Sequence, residues 1–468
     1  MNAGVGAGAS AADRGAANAG VTDAAAPRGD VRLCWWVLLL AAVTVASSYY
    51  ESDAIGPIAD LLHRQRGFSQ AQLGTLNGII NVPSVVLALI NGLLMDRFGP
   101  VRIALGSAVI GVIGAVVTAA AGSYEMMVAG RFIFGASEGA IFIALIAVLA
   151  RWFSRSGIAL ATSLYLSLAR VGSYAADTSP TWARPLYDTW RAPLWLGAAL
   201  TVAGFVATLG LYLLDRRCMP RPVATTGTAD TEGKAGTAST GSTATPAPPL
   251  AALDVQGRPH WSEALKFDRS YWYILALHVL YAAVFFPFRT TFAIEYFQHT
   301  KGLSLQAAGM ANSWVFFAAI FATPVFGLLA DRFGHRALML TFGTLLLSLT
   351  FAVLGLTNLG LWVSTLLMGV SFALVPAVIW PATTLIVAPR RLGTALGLIT
   401  VIQAFGIFGS NRIAGLLSDR AGAGADNPAG YAVMLLFFGL LSLVALAAAL
   451  LLWRREAGPH GHGLEAAR

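Results

Sequence analysis

Long apolar runs recur along this chain with short polar breaks. They cover roughly 33–60, 74–95, 101–121, 125–150, 159–180 and 192–214, then 270–298, 306–330, 337–357, 360–387, 393–418 and 430–453. Most match the ~20 residues an α-helix needs to cross the hydrocarbon core of a bilayer. In lipid every backbone amide must be satisfied within its own segment, so such a run crosses as a helix. Twelve of them consume most of the 468 residues and leave no room for a soluble catalytic domain. Composition agrees: 12% of residues are charged, where a soluble domain carries about a quarter. The expected fold is an all-α membrane protein with twelve transmembrane helices.

The runs form two sets of six. Between them lies 215–269, including TTGTADTEGKAGTASTGSTATPAPP, rich in Thr, Gly, Ala and Pro. Such a stretch cannot bury enough apolar surface to fold and reads as a flexible cytoplasmic linker. Residues 1–30 are Ala/Gly-rich, lack the apolar core of a secretory signal, and read as a disordered cytoplasmic tail. The expected organisation is therefore tail 1–30, six-helix bundle 31–214, linker 215–269, six-helix bundle 270–455 and a second cytoplasmic tail, 456–468.

Cations set the orientation. Of the 31 Lys and Arg, placing the N-terminus inside assigns 21 to cytoplasmic segments and six, Arg64, Arg66, Arg184, Arg191, Lys301 and Arg420, to the outside. That bias makes both termini cytoplasmic and accounts for most of the +8 net charge as topology, not as a nucleic-acid surface. Cys34 and Cys218 fall beside the cytoplasmic face, where thiols stay reduced, so no disulfide is expected.

An octapeptide repeats half a chain apart. Gly92-Leu-Leu-Met-Asp96-Arg97-Phe-Gly99 returns as Gly327-Leu-Leu-Ala-Asp331-Arg332-Phe-Gly334, with seven of eight residues identical. Each copy falls in the short cytoplasmic loop after the second helix of its set, followed by Arg102 or Arg336. In sequence and position this resembles the loop motif of the major facilitator superfamily. The resemblance implies two pseudo-symmetric six-helix bundles that alternate access, with the loop Asp capping a neighbouring helix and pairing with Arg across a cytoplasmic gate. A third near-copy, Gly415-Leu-Leu-Ser-Asp419-Arg420-Ala-Gly422, lands at the outer end of helix eleven, so the string alone proves little.

Enzyme-like strings fail on context. Gly135-Ala-Ser137-Glu-Gly139 fits a nucleophile elbow, but that needs a strand-to-helix turn and here it lies inside an apolar helix, where small residues serve close packing. Gly227 to Gly233-Lys234 has one residue too many for a P-loop and Ala235 in place of Ser or Thr. His460 and His462 form a solvated tail pair without further ligands. No catalytic residue, cofactor or metal site is expected.

Ionisable groups at bilayer depth are costly and by default mark a functional path. Glu138 lies 14 residues into helix four from Tyr124, ~21 Å at 1.5 Å per residue. Arg170 lies 13 residues into helix five from Gly157, ~20 Å from the opposite face. Antiparallel neighbours bring the two to one height, where they can pair near the midplane; an acid beside a base suits a substrate carrying ammonium and carboxylate. Helix one offers Tyr49, Tyr50, Glu51 and Asp53 before Gly56-Pro57; Glu51 and Asp53 cannot share a helix face, and Asp53 is the favoured cavity residue. In helix seven, Arg289 could bind a carboxylate, close an outer gate, or pair structurally with Glu295. Arg412 reads equally as a gate or a snorkelling surface residue. Trp380-Pro381, after Pro376, marks a kinked segment suited to gating, and Asn312 and Gln403 are polar residues that either line the cavity or bond between helices.

A narrower resemblance carries the function. Gly130-Arg-Phe-Ile-Phe-Gly135-Ala-Ser-Glu138, Ala150-Arg-Trp152-Phe153 and Leu166-Ser-Leu-Ala-Arg170-Val-Gly-Ser173 are similar to the lysosomal dipeptide carrier branch of that superfamily and its bacterial relatives. So are Ala283-Val-Phe-Phe-Pro287-Phe288, Asn312-Ser313, Trp380-Pro381 and Leu392-Gly-Thr-Ala395. The resemblance implies transport of short peptides, with Glu138 taking the ammonium, Arg170 the carboxylate, and Tyr49, Asp53 and Trp380 lining the cavity. Separately, Arg131 with Gly135 and Gly139 resembles the superfamily's helix-four pattern that is associated with coupling in its proton-coupled members, and Glu51 is a second coupling candidate. A proton-coupled carrier of an organic anion or sugar phosphate, held by Arg170 and Arg289, stays open, as does a non-transporting receptor on the same scaffold. Expected partners are a small solute and the lipid bilayer, with no nucleic acid. A monomer is expected, an accessory subunit stays open, and the expected location is the plasma membrane, the inner one in a Gram-negative cell.

Overall fold

The computed structural model describes residues 31–153, 157–218, 267–357, 360–388, 391–459 and 461–465. Among these the chain is helical and contains no strand. The first apolar run folds as α1 (Val31–Asp53) and α2 (Ile55–Arg66), and the second as α3 (Gln70–Gly78), a 3-10 turn and α4 (Val82–Phe98). Then follow α5 (Pro100–Ala120), α6 (Tyr124–Trp152), α7 (Ile158–Trp182) and α8 (Arg191–Cys218). In the second half α9 (Arg269–Pro287) runs through a π-helical turn, Phe288–Phe292, into α10 (Ala293–Lys301). After it come α11 (Leu305–Phe333), α12 (Arg336–Leu356), α13 (Leu361–Ile386), α14 (Leu392–Arg420) and α15 (Tyr431–Glu456).

Among the described residues, ten helical segments are long and apolar enough to cross a membrane. The other two expected runs are helical as well: α3 and α4 are joined through a 3-10 turn, and α7 carries Arg170 and Asp177 in its apolar stretch. The start of the linker moves. Residues 215–218, expected in the linker, continue α8, because Asp215 accepts the indole N–H of Trp152 at 3.1 Å. The rest of the linker up to 266 and the tail 1–30 lie outside the described residues.

Each half builds its own apolar core. In the first, α1 packs on α7 and α8, and α5 on α6 and α8; in the second, α9 packs on α14 and α15, α11 on α13, and α12 on α13 and α15. The halves meet where α3 lies against α14, α7 against α11 and α2 against α10. The α3 and α2 contacts draw together the end carrying the turns at 67–69, 302–304 and 421–427, the distal end. A Cβ on Gly74 would land on the Asn411 carbonyl oxygen, and one on Gly415 on that of Gln70. Only hydrogen at these two positions lets α3 and α14 approach so closely.

The third near-copy of the octapeptide has a structural role there. Asp419, at the end of α14, accepts the N–H groups of Gln70 and Ala71 at 2.7 and 2.9 Å. It thus supplies negative charge and acceptors to the unsatisfied N-terminus of α3 from the opposite half. Arg412, placed by sequence at either a gate or a surface, reaches α3 too, donating to Thr75 Oγ1 at 3.0 Å.

At the opposite, linker end the repeat is visible as geometry. Gly99 (φ 83°) and Gly334 (φ 67°) end α4 and α11 in a backbone conformation that favours glycine. Beside them Arg97 lies over the Phe98 ring and Arg332 over that of Phe333, at 5.3 and 5.7 Å. Gly92 and Gly327 fall within the helices α4 and α11, and Arg102 in the first turn of α5. The side chains of Asp96 and Asp331 lie outside the described residues. The C-terminal tail, expected to be solvated, folds back instead: Arg336 N donates to the Leu464 carbonyl at 2.8 Å, and Leu338 N to Glu465 Oε1 at 3.1 Å. An acid thus caps the first turn of α12. His462 bonds Glu456 at 3.0 Å, whereas His460 is not among the described residues.

Candidate functional site

The break between α1 and α2 organises the centre of the first half. Pro57 has no N–H for the Asp53 carbonyl four residues back, and the helix is interrupted at Ala54, which opens the adjoining carbonyls of Glu51 and Ser52 to a further donor. Arg131, fully buried on α6, is that donor. It donates from Nη1 to the Glu51 carbonyl at 2.7 Å, from Nη2 to the Ser52 carbonyl at 2.6 Å, and from Nε to the Leu76 carbonyl at 3.3 Å. Nη2 also reaches Asn77 Oδ1 at 3.0 Å. The residue that sequence associated with coupling therefore holds the α1–α2 break and α3 in register. Glu51 is also fully buried, facing Gly197 of α8, and neither carboxylate oxygen has a hydrogen-bond partner among the described residues.

Glu138 lies two turns further along α6, on the face that meets α1. Ser52 Oγ donates to it at 3.4 Å, and Asp53 and Arg131 are its charged neighbours. Arg170 on α7 does not pair directly with it, contrary to the sequence expectation. Among the described residues no acid sits on that guanidinium, which instead lies over three rings: Tyr49 at 5.3 Å, Phe316 at 5.5 Å and Phe372 at 4.7 Å. Tyr49 belongs to α1, whereas Phe316 and Phe372 belong to α11 and α13, so Arg170 points across the seam between halves and not into lipid. Arg170, Glu138 and Asp53 are the charged neighbours of the Tyr49 hydroxyl. Arg170, Glu138 and Tyr49 are only half-buried at bilayer depth.

Arg289 is occupied. It pairs with Asp53 at 2.7 Å and with Asp177, not with Glu295 as the sequence allowed. Asn312 donates to the Arg289 carbonyl at 3.2 Å. One cation from α9–α10 thus ties together acids from α1 and α7, and the group is completely buried. Asp177 was missed by the sequence reasoning, although it lies seven residues after Arg170 on the same face of α7, and its depth in the apolar run was the available signal. Two carboxylates against one guanidinium leave no free cation for a substrate anion at this position.

The second-half wall carries Trp380 on α13 and Gln403 on α14. Their link is His278 of α9, also missed: its Nε2 lies 2.8 Å from Gln403 Oε1, and its ring meets Trp380 edge-on at 5.0 Å. These three are half-buried as well. Tyr50 is instead buried against Trp182.

Comparison with known proteins agrees with this architecture. The family model described as the Major Facilitator Superfamily matches residues 41–304 and 274–467. A lysosomal dipeptide transporter, MFSD1 of Bos taurus, is 27% identical over 404 residues, covering 82% of this chain and 80% of the relative. Its Homo sapiens counterpart is 27% identical over 394 residues, with the same coverage. Among solved structures, a bacterial homologue of the human lysosomal transporter Spinster, inward-facing and unoccupied, superposes with a TM-score of 0.68 at 18% identity, covering 91% of this chain and 98% of that one. The nucleoside transporter NupG gives 0.66 at 14% identity, covering 90% and 99%.

Proposed function

We propose that this chain, which belongs to the major facilitator superfamily, carries a short peptide or similar small zwitterion across the membrane by alternating access. Members of this family are membrane transporters and not enzymes. The observation that carries the proposal is the pair of unlike charges at one depth that do not neutralise each other. Arg170 rests on aromatic faces with its edge free of acids among the described residues, and Glu138 keeps only a weak hydroxyl donor. In this reading the peptide carboxylate takes the guanidinium edge, the ammonium takes Glu138, and Tyr49 lies beside them. Trp380, His278 and Gln403 supply the opposite wall. The dipeptide transport named for the relatives supports the same cargo class. An organic-anion carrier is disfavoured because Arg289 is already held by Asp53 and Asp177.

We place both termini on the cytoplasmic side of the plasma membrane, from the Lys/Arg bias, with the distal end facing outward, and treat the chain as a monomer. Alternating access then consists of parting the α3–α14 and α2–α10 contacts while the linker end closes through the two repeated loops.

The test is uptake of radiolabelled dipeptides into proteoliposomes. Wild-type protein should give saturable flux that is lost with blocked peptide termini. Each of Glu138→Gln and Arg170→Gln should weaken binding by about 10- to 100-fold, the worth of a hydrogen bond to a charged group. Flux unaffected by both substitutions would overturn the site, and no flux of any peptide would favour a receptor on this scaffold.

A further inference from the structure

At the distal end, where α2 and α10 meet across the halves, a buried polar chain runs from Asp60 to Glu295. His299 Nε2 lies 3.1 Å from Asp60 Oδ1, and its Nδ1 lies 3.0 Å from Tyr431 Oη. Tyr431 in turn donates to Glu295 Oε1 at 3.1 Å. Arg64 Nε donates to the same Asp60 oxygen at 2.9 Å, and Gln70 Nε2 donates to Glu295 Oε1 at 2.7 Å. His63 is the remaining titratable neighbour, and its Nδ1 is directed at the Phe68 carbonyl at 2.8 Å. Asp60, His63, Arg64 and Gln70 belong to the first half; Glu295, His299 and Tyr431 belong to the second.

The polarity of this chain fixes its proton count. Ionised carboxylates only accept, so Tyr431 spends its one hydroxyl hydrogen on Glu295 and must accept from His299 Nδ1. Asp60 likewise accepts from His299 Nε2. With both acids ionised, both imidazole nitrogens carry hydrogen, which only the imidazolium provides; a neutral Glu295 donating to Tyr431 closes the same chain with the same one added proton. Without that proton the neutral imidazole has one N–H and can serve one side of the chain, leaving the other unmade in a site that is nearly all buried. Glu295 adds to the need for positive charge: its Oε2 has no hydrogen-bond partner among the described residues, and His299 Nδ1 lies 3.8 Å from its Oε1.

We propose that Asp60, His299, Tyr431 and Glu295 form a proton-binding site that locks the distal closure, taking up one proton when the halves meet and releasing it to water when they part. A divalent cation fits less well, since both His299 nitrogens are engaged and Arg64 already places positive charge on the Asp60 oxygen. By linkage, a state that binds an extra proton is favoured by acid, and the closed-to-open ratio falls up to tenfold per pH unit, the limit for one proton. The inference concerns the closure and not the cargo.

The experiment is a distance measurement by pulsed electron paramagnetic resonance on full-length protein in nanodiscs. Spin labels go on Glu125→Cys and Ala425→Cys, with Cys34→Ala and Cys218→Ser, and pH is stepped from about 5 to about 8, the imidazole range. The separated population should grow with pH. His299→Gln and Glu295→Gln should each flatten that response, whereas His63→Gln should retain it. A wild-type population that ignores pH would overturn the proposal. So would a response kept in both His299→Gln and Glu295→Gln, or one that follows EDTA and not pH. Because the readout needs no peptide, its failure is distinct from failure of the cargo assignment.

Discussion

Asp419 accepts two backbone N–H groups of α3, from Gln70 at 2.7 Å and Ala71 at 2.9 Å, although it stands on α14 in the other half of the molecule. A helix cap is ordinarily local to its own chain segment. Here it spans 348 and 349 residues of sequence, so the cap exists only while the distal end is closed. Capping energy thereby becomes conformational energy of the transport cycle.

Asp419→Ala should cost the closed state about 1 kcal/mol, the usual worth of an N-terminal cap, partly offset by water in the open state. Maleimide labelling of a Thr75→Cys reporter, which faces the α14 side of α3, should speed up accordingly. Asp419→Asn keeps an acceptor and should give a smaller change. An unchanged labelling rate in Asp419→Ala would contradict the cap's role.

Gly74→Val should prevent distal closure outright, because even its Cβ would overlap the Asn411 carbonyl oxygen, which is backbone and cannot move aside cheaply. The expected phenotype is peptide binding retained, in a thermal-shift assay, with net flux abolished. A variant that still transports at wild-type rate would show that α3 and α14 never approach this closely in the working cycle.

Removing Arg289 leaves Asp53 and Asp177 buried side by side without their cation, and breaking a buried ion pair from one side costs about 3–5 kcal/mol. Arg289→Met should lower the melting temperature far more than Asp177→Asn, since in the latter Arg289 keeps Asp53. Melting of the purified variants in detergent decides the order, and equal losses would mean the triad does not act as two acids on one base.

Asp268 precedes α9 outside the membrane-spanning segment. Partial burial pushes its carboxyl up, but the Ser270 N–H at 2.8 Å and the Arg455 guanidinium at 2.7 Å outweigh this and hold it at about 2. An unfolded Asp titrates near 3.9, so this group's stabilisation is complete above about pH 4 and is lost as pH falls towards 2. Acid titration of thermal stability should therefore steepen in that window, and Asp268→Asn should remove that component without altering the behaviour above it.

The membrane class, the helical runs and the half-chain repeat were legible because each is written in local patterns. Apolar length against bilayer thickness makes a span, and each copy of the octapeptide ends its helix on a positive-φ glycine, Gly99 and Gly334. Glu138 and Arg170 were legible for the same reason, as charges whose depth follows from counting residues along a helix. Which charge meets which was not legible. Arg170 turned to the rings of Phe316 and Phe372, and Arg289 found Asp53 and Asp177, because the partner is chosen by how two bundles lie against each other. The repeated string at Gly415–Gly422 shows this most clearly. Its sequence matches the loop motif, yet its Asp419 caps a helix of the opposite half, a role fixed by tertiary approach through Gly74 and Gly415. Sequence by itself determined the spans, their repeat and the depth of each charge, because those depend on the chain's own period and length. The partnerships across the seam were decided by tertiary structure alone, because electrostatic and packing energies depend on distances between segments that share no local pattern.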